Sequence, residues 1–216
     1  YEDIRIEDHW KVITGVDFGW TAPAAVVSVA LNPDTDTMYV FRAKKKSEWS
    51  IPEFGAYINT IGTEFPVAWP ADGGNETAAG AGIGIKDQLS TVGCNMLYKQ
   101  FHNPPDSITG KTNNSVEAGL SYIRNMLKTG RLKVHRSLDE FFTEYRLYYY
   151  SEADGKVRKK DDHILDAFRY AVQSIRQYGV SRNDAQFKDV GYQNYVSSDN
   201  ERDDYDNDIE YHRYRA

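Results

Sequence analysis

Three acidic positions in this 216-residue chain fall where burial would otherwise be expected, and together they outline a chemistry. Gly15-Val16-Asp17-Phe18-Gly19 sets a carboxylate between glycines at the end of an apolar run. An isolated buried carboxylate is costly unless it is paired or bound to a metal, although a lone Asp-x-Gly also serves simply to start a turn. Asp72 follows the apolar stretch 65–69 and precedes Gly73-Gly74-Asn75-Glu76; its alternative use is as an N-cap or turn former, with Glu76 the nearby substitute. The third cluster is Lys160-Asp161-Asp162-His163-Ile164-Leu165-Asp166-Ala167. On a helix, Asp162 and Asp166 are four apart and His163 and Asp166 three apart, so they share a face. Acids in a first helical turn also favour the helix dipole, which suits Asp161 and Asp162 and explains less of Asp166, beside the core-facing Leu165.

Carboxylates gathered from two strands and a late helix suit hard divalent cations such as Mg²⁺, which prefer oxygen ligands. Two such ions about 3.5–4 Å apart could activate a water and steady a departing 3′-oxygen in phosphodiester hydrolysis. On this reading Asp17 bridges two cations, Asp72 holds one and Asp166 the other, with Asp162 and His163 as supporting ligands.

Positioning these acids requires an α/β arrangement. Apolar strands are expected over 11–18, 24–31 and 38–43, with Asn32-Pro33-Asp34 a strong turn signal, so the first three form an antiparallel meander. The pattern then alternates helix and strand, which predicts a parallel portion of the same sheet with helical crossovers. Helices are expected over 50–61, 85–92, 115–129, from 137 onward behind a Ser137-Leu138-Asp139-Glu140 capping box, and over 161–178; strands over 65–69, 95–101 and 131–135. Asp154-Gly155 between the tyrosines of 145–150 and a basic run is a hairpin signal. If the strand before Asp72 neighbours the first strand in parallel, both acids emerge at the carboxyl-end edge where open α/β sheets place their sites. The organisation expected is a lead-in over 1–10, one folded domain over 11–179 and an acidic tail over 180–216 lacking periodicity and read as disordered. The chain opens on Tyr1 and a polar run, which suggests a fragment of a longer protein.

No window holds the ~18 uninterrupted apolar residues of a membrane span, and no secretory signal is present. The one cysteine, Cys94, has no partner for a disulfide or a zinc site, so the expectation is a reducing cytosol. The formal charge of −6 argues at first against nucleic acid. It is unevenly placed: residues 181–216 hold five Lys and Arg against nine Asp and Glu, a net −4, leaving −2 for the body. Cations bound by the acids would neutralise part of that. Lys156, Arg158, Lys159 and Lys160 on the expected hairpin lead straight to the third acid and are the first candidates for phosphate contact. Lys44, Lys45, Lys46 and Lys111 are weaker ones, since runs such as 44–46 more often form solvated surface. The tyrosine run suits core and sheet packing.

The Val12–Gly19 strand with its meander, then Asp72, then Asp-Asp-His-x-x-Asp-Ala-x-Arg-Tyr-Ala at 161–171 resembles the large-subunit nuclease domain of tailed-phage terminases. Lys111-Thr112-Asn113-Asn114-Ser115-Val116 is also similar to a recurring stretch of that family. The resemblance spans residues 10–178. It implies a ribonuclease H-like mixed sheet flanked by helices, two Mg²⁺ or Mn²⁺ ions, and weakly sequence-specific cutting of concatemeric duplex viral DNA during genome packaging in the host cytoplasm. It also implies Asp166 as third acid, an upstream ATPase domain, and portal protein and terminase small subunit as partners. No Gly-x-x-x-x-Gly-Lys-Ser/Thr phosphate loop occurs in the chain. The nearer alternatives are a Holliday-junction resolvase or recombinase-type nuclease of the same fold, and a non-catalytic module whose tail docks a portal or capsid component. An actin-like ATPase would need a second lobe that 216 residues cannot supply.

Overall fold

In the computed structural model, residues 1, 3–74, 82–103, 116–147, 149–150, 157–158 and 162–185 are described. Tyr1–Arg182 forms one unit, and Asn183–Ala216 a second that lies almost wholly outside those residues. Lys111, Lys156, Lys159, Lys160, Asp161, the Asp154-Gly155 turn and the tail beyond 185 are likewise outside them.

Strands β1 (Lys11–Asp17), β2 (Ala24–Asn32) and β3 (Thr37–Lys46) form the expected meander, each antiparallel to the next. The β2–β3 turn is set locally: Asn32 Oδ1 accepts the backbone N–H of Asp34 at 2.8 Å, a side chain standing in for a turn carbonyl. Helix α1 (Ile51–Asn59) follows, then β4 (Val67–Ala68), a 3₁₀ turn at Ala71–Gly74, α2 (Ile85–Thr91), α3 (Val116–Lys128), β5 (Leu132–Val134) and α4 (Asp139–Leu147). The pair β6 (Tyr149–Tyr150) and β7 (Val157–Arg158) is antiparallel, and α5 (His163–Tyr178) closes the series. Sheet order is β4-β1-β2-β3-β5, with β4 parallel to β1 and β5 parallel to β3, so the sheet is mixed as expected.

Strand β2 lies at the centre and is buried along nearly its whole length. Its residues divide by the two-residue period of a strand. Ala25, Val27, Val29 and Leu31 face a layer made by Ile123 and Met126 of α3, Phe141 of α4 and the apolar stripe of α5 from Ile164 to Ile175. Val26 and Ala24 face Trp49, Phe54 and Ile58 around α1, with Leu89 and Cys94. Thr14 of β1 and Ser28 of β2, opposed in register, satisfy each other at 2.9 Å.

Two expectations are corrected. Residues 95–101 do not form a full strand: a single parallel bridge joins Met96 to Val67, after which the chain bends. The indole N–H of Trp69 donates to the Leu97 carbonyl at 2.6 Å, so a side chain takes an acceptor that a ladder would use. The capping box at 137–140 is also absent, because the Ser137 hydroxyl is hydrogen-bonded to His135 Nδ1 at 2.7 Å.

The start of α5 is secured from outside the helix. Glu144 of α4, buried to 1% exposure, accepts the backbone N–H groups of Ile164 at 2.8 Å and Leu165 at 3.2 Å, and the ammonium of Lys45 at 2.6 Å. A carboxylate at a helix N-terminus satisfies donors that have no intrahelical partner and opposes the dipole. Removing it should cost about 2 kcal/mol, at the upper end for a lost cap, read as a lower melting temperature of Glu144→Ala. Burial pushes the Glu144 carboxyl above its ordinary value, against the pull of Lys45 and the two backbone donors. A carboxyl whose pKa is higher folded than unfolded contributes most below the unfolded value and loses that contribution as the pH rises through the folded one. Denaturant titrations should therefore show wild type losing stability relative to Glu144→Gln as the pH is raised from the ordinary 4.5.

Candidate active site at the carboxyl edge of the sheet

Gly15 decides how close α5 comes to β1. A Cβ there would lie 2.0 Å from the Ala167 carbonyl oxygen and 2.8 Å from the Ala171 nitrogen, so helix backbone rests directly on strand backbone. Two residues on, Asp17 ends β1 at the edge where α5 begins. His163, the first residue of α5, places Nδ1 2.9 Å from Asp17 Oδ2; both side chains are about one-fifth exposed. The hydrogen bond that His163 donates to Asp17 holds the imidazole above its ordinary pKa, helped by the charges of Asp17, Glu144 and Asp162 and opposed by burial. His163 therefore orients one oxygen of Asp17.

Asp166 lies one turn into α5 on the same face as His163. Its Oδ1 accepts from Arg169 Nε at 3.3 Å and Nη2 at 3.1 Å. Asp162 precedes the helix, and its carbonyl accepts the Asp166 N–H at 2.8 Å. Its side chain makes no capping hydrogen bond; Glu144 accepts the first backbone donors of α5 instead.

The parallel pairing of β4 with β1, Thr14 opposite Val67 and Gly15 opposite Ala68, is the strand order on which Asp72 depended. Asp72 sits in the 3₁₀ turn directly after β4, described through its backbone. Gly73 beside it approaches Phe18 so closely that a Cβ would meet the ring at 2.2 Å, which ties this turn to the residue after Asp17. Among the described residues no group of three or more His, Cys, Asp or Glu side chains is arranged to hold a metal. By chemical type, the carboxylates of Asp17 and Asp166 are the hard oxygen donors that a small divalent cation prefers.

The expected DNA-contacting lysines of β3 are each engaged: Lys44 with Glu140 at 2.5 Å, Lys45 with Glu144 at 2.6 Å and Lys46 with Glu53 at 3.3 Å. Arg158 lies in β7, opposite Tyr149. Glu144 and Arg169 went unassigned in the sequence. The usable signal for Glu144 was an acid three residues from Phe141 on the buried face of an aromatic helix; for Arg169 it was a cation three residues past Asp166.

A family model described as Terminase RNaseH-like domain matches residues 14–174. The terminase large subunits of Enterobacteria phage LP7 and Salmonella phage P22 are each 38% identical, over 172 residues (79% of the chain) and 170 residues (78%) respectively. The chain spans about a third of the length of these relatives, 34% and 32%. Among solved structures, the P22 large terminase nuclease domain superposes with a TM-score of 0.74 at 34% identity, covering 86% of this chain and 91% of that one. The nuclease domain of the bacteriophage SPP1 large terminase with bound Mn shares the fold at 17% identity and a TM-score of 0.53, covering 77% and 86%.

Proposed function

Because the chain belongs to the Terminase RNaseH-like domain family, we propose that it is the metal-dependent endonuclease of a phage packaging machine, cutting concatemeric duplex DNA in the host cytoplasm. The observation that carries this reading is the hydrogen bond of His163 with Asp17, which brings the start of α5 to the end of β1, supported by the parallel β1–β4 pairing after which Asp72 follows in sequence. Asp17, Asp72 and Asp166 are the residues that would hold two Mg²⁺ or Mn²⁺ ions, with Asp162 and His163 in support; Mn bound to the SPP1 domain agrees with that choice of cation. When bound, such cations lower the pKa of an attacking water and stabilise charge on the departing 3′-oxygen.

The chain's own residues provide position. His163 fixes the Asp17 carboxylate, Arg169 the Asp166 carboxylate, and Glu144 the first turn on which His163 and Asp166 ride. Lys156, Arg158, Lys159 and Lys160 are the proposed phosphate contacts, with lesser contributions from Lys44, Lys45, Lys46 and Lys111. Trp20, 59% exposed three residues beyond Asp17, adds an aromatic surface on the same edge. An ATPase domain upstream, the portal and the small subunit are the proposed partners, the portal through the acidic tail. No helix among the described residues is long and apolar enough to cross a membrane.

The test is cleavage of linear duplex and four-way-junction DNA with Mg²⁺ or Mn²⁺ and with chelator. Cation-dependent cutting of linear duplex without preference for the junction is expected. A strong junction preference would point to a resolvase, and cutting that survives chelation would overturn the metal assignment.

A further inference from the structure

Arg169 is 5% exposed, which is unusual for a guanidinium. Its Cζ lies 5.3 Å from the centre of the Phe101 ring and 4.8 Å from that of Tyr170. Helix α3 closes over its stem at Gly119, where a Cβ would come within 2.9 Å of Arg169 Cδ. The guanidinium therefore has little room to swing away. Nε and Nη2 both donate to Asp166 Oδ1, and among the described residues Nη1 has no acceptor. Removing one member of a buried ion pair leaves the other charge uncompensated, so Arg169 also balances the charge of Asp166. Its chemistry is directed at a single oxygen atom.

A carboxylate oxygen offers about two lone-pair positions. Nε–H and Nη2–H lie parallel on the Arg169 guanidinium and converge on Oδ1 from one side. A cation chelated by both oxygens of Asp166 would sit beside the guanidinium charge at Oδ1, whereas coordination through Oδ2 alone keeps the two positive charges further apart. Ca²⁺ takes six to eight oxygens and readily accepts bidentate carboxylates, while Mg²⁺ and Mn²⁺ favour octahedral sites with single-oxygen ligands. We propose that Arg169 is a specificity-determining positioning residue: by engaging Oδ1 with a cationic fork it favours one-oxygen coordination by Asp166 and so sets the site for small octahedral cations against Ca²⁺. This rests on Asp166 being a metal ligand.

The test is calorimetric affinity for Mn²⁺ and for Ca²⁺ in wild type, Arg169→Met and Arg169→Lys, with melting temperatures alongside. Comparing the two cations in one protein cancels the change in overall charge. The Mn²⁺ over Ca²⁺ preference is expected to fall about tenfold in Arg169→Met, the lower end for loss of a group that orients a metal ligand. Arg169→Lys, a point donor in place of a fork, should fall between, and it carries the test if Arg169→Met does not fold. An unchanged preference in a folded variant, even one with lower melting temperature, would overturn the proposal and leave Arg169 a packing residue. Failure of wild type to bind either cation would instead remove the metal reading on which it rests.

Discussion

Asp17→Asn should leave the domain folded and reduce cation-dependent cleavage by at least about three orders of magnitude, roughly 4 kcal/mol of barrier. Asparagine keeps the size of the side chain and an acceptor for His163, so the sheet edge loses charge and little packing. That charge is the quantity in question, because a neutral amide is a poor ligand for a hard divalent cation. The comparison requires matched circular dichroism and melting curves for the two proteins. Persistent cleavage by a folded Asp17→Asn protein would sink the bridging role assigned to this residue.

Gly15→Ala should be strongly destabilising. The new Cβ meets backbone atoms of α5 at 2.0 and 2.8 Å, so no side-chain rotation relieves it and the helix must retreat by more than an ångström to reach ordinary contact. Overpacking commonly costs about 1–3 kcal/mol, and a backbone clash in the middle of a core belongs above that range, at about 4 kcal/mol or more. For a unit of this size the melting temperature should fall by roughly 10 °C. The same retreat separates Asp166 and His163 from Asp17, so cleavage by the folded fraction should drop by about a hundredfold, the penalty associated with misplacement of that size. A melting temperature within a degree or two of wild type would show that α5 is not clamped at Gly15.

The elements that could be read from the chain are those specified locally. The meander follows from three apolar runs and an Asn32 turn whose side chain makes its own hydrogen bond, and α5 follows from an apolar stripe bounded by Gly179. What was not legible depends on partners distant in sequence. Residues 95–101 look like a strand until the Trp69 indole takes the Leu97 carbonyl. Asp161 and Asp162 read as acids that favour the helix dipole, and nothing near them in sequence announces that the donors at the start of α5 turn to Glu144, a residue of a different helix. Lys44, Lys45 and Lys46 read as a basic run, and each meets a carboxylate from another element. Gly15 reads as the flank of a turn around Asp17; its larger role, admitting the backbone of α5 some 150 residues downstream, follows only from tertiary packing. Asp72 was the acid whose placement depended most on strand order, and the parallel β1–β4 pairing meets that condition at the level of the backbone.

Anomalous diffraction from crystals soaked in Mn²⁺ tests the three-carboxylate centre most directly. Manganese peaks liganded by Asp17, Asp72 and Asp166, with Asp166 contributing one oxygen and Arg169 still on Oδ1, are the expected result. Manganese bound elsewhere, or absent from these three residues at millimolar concentration, would contradict it.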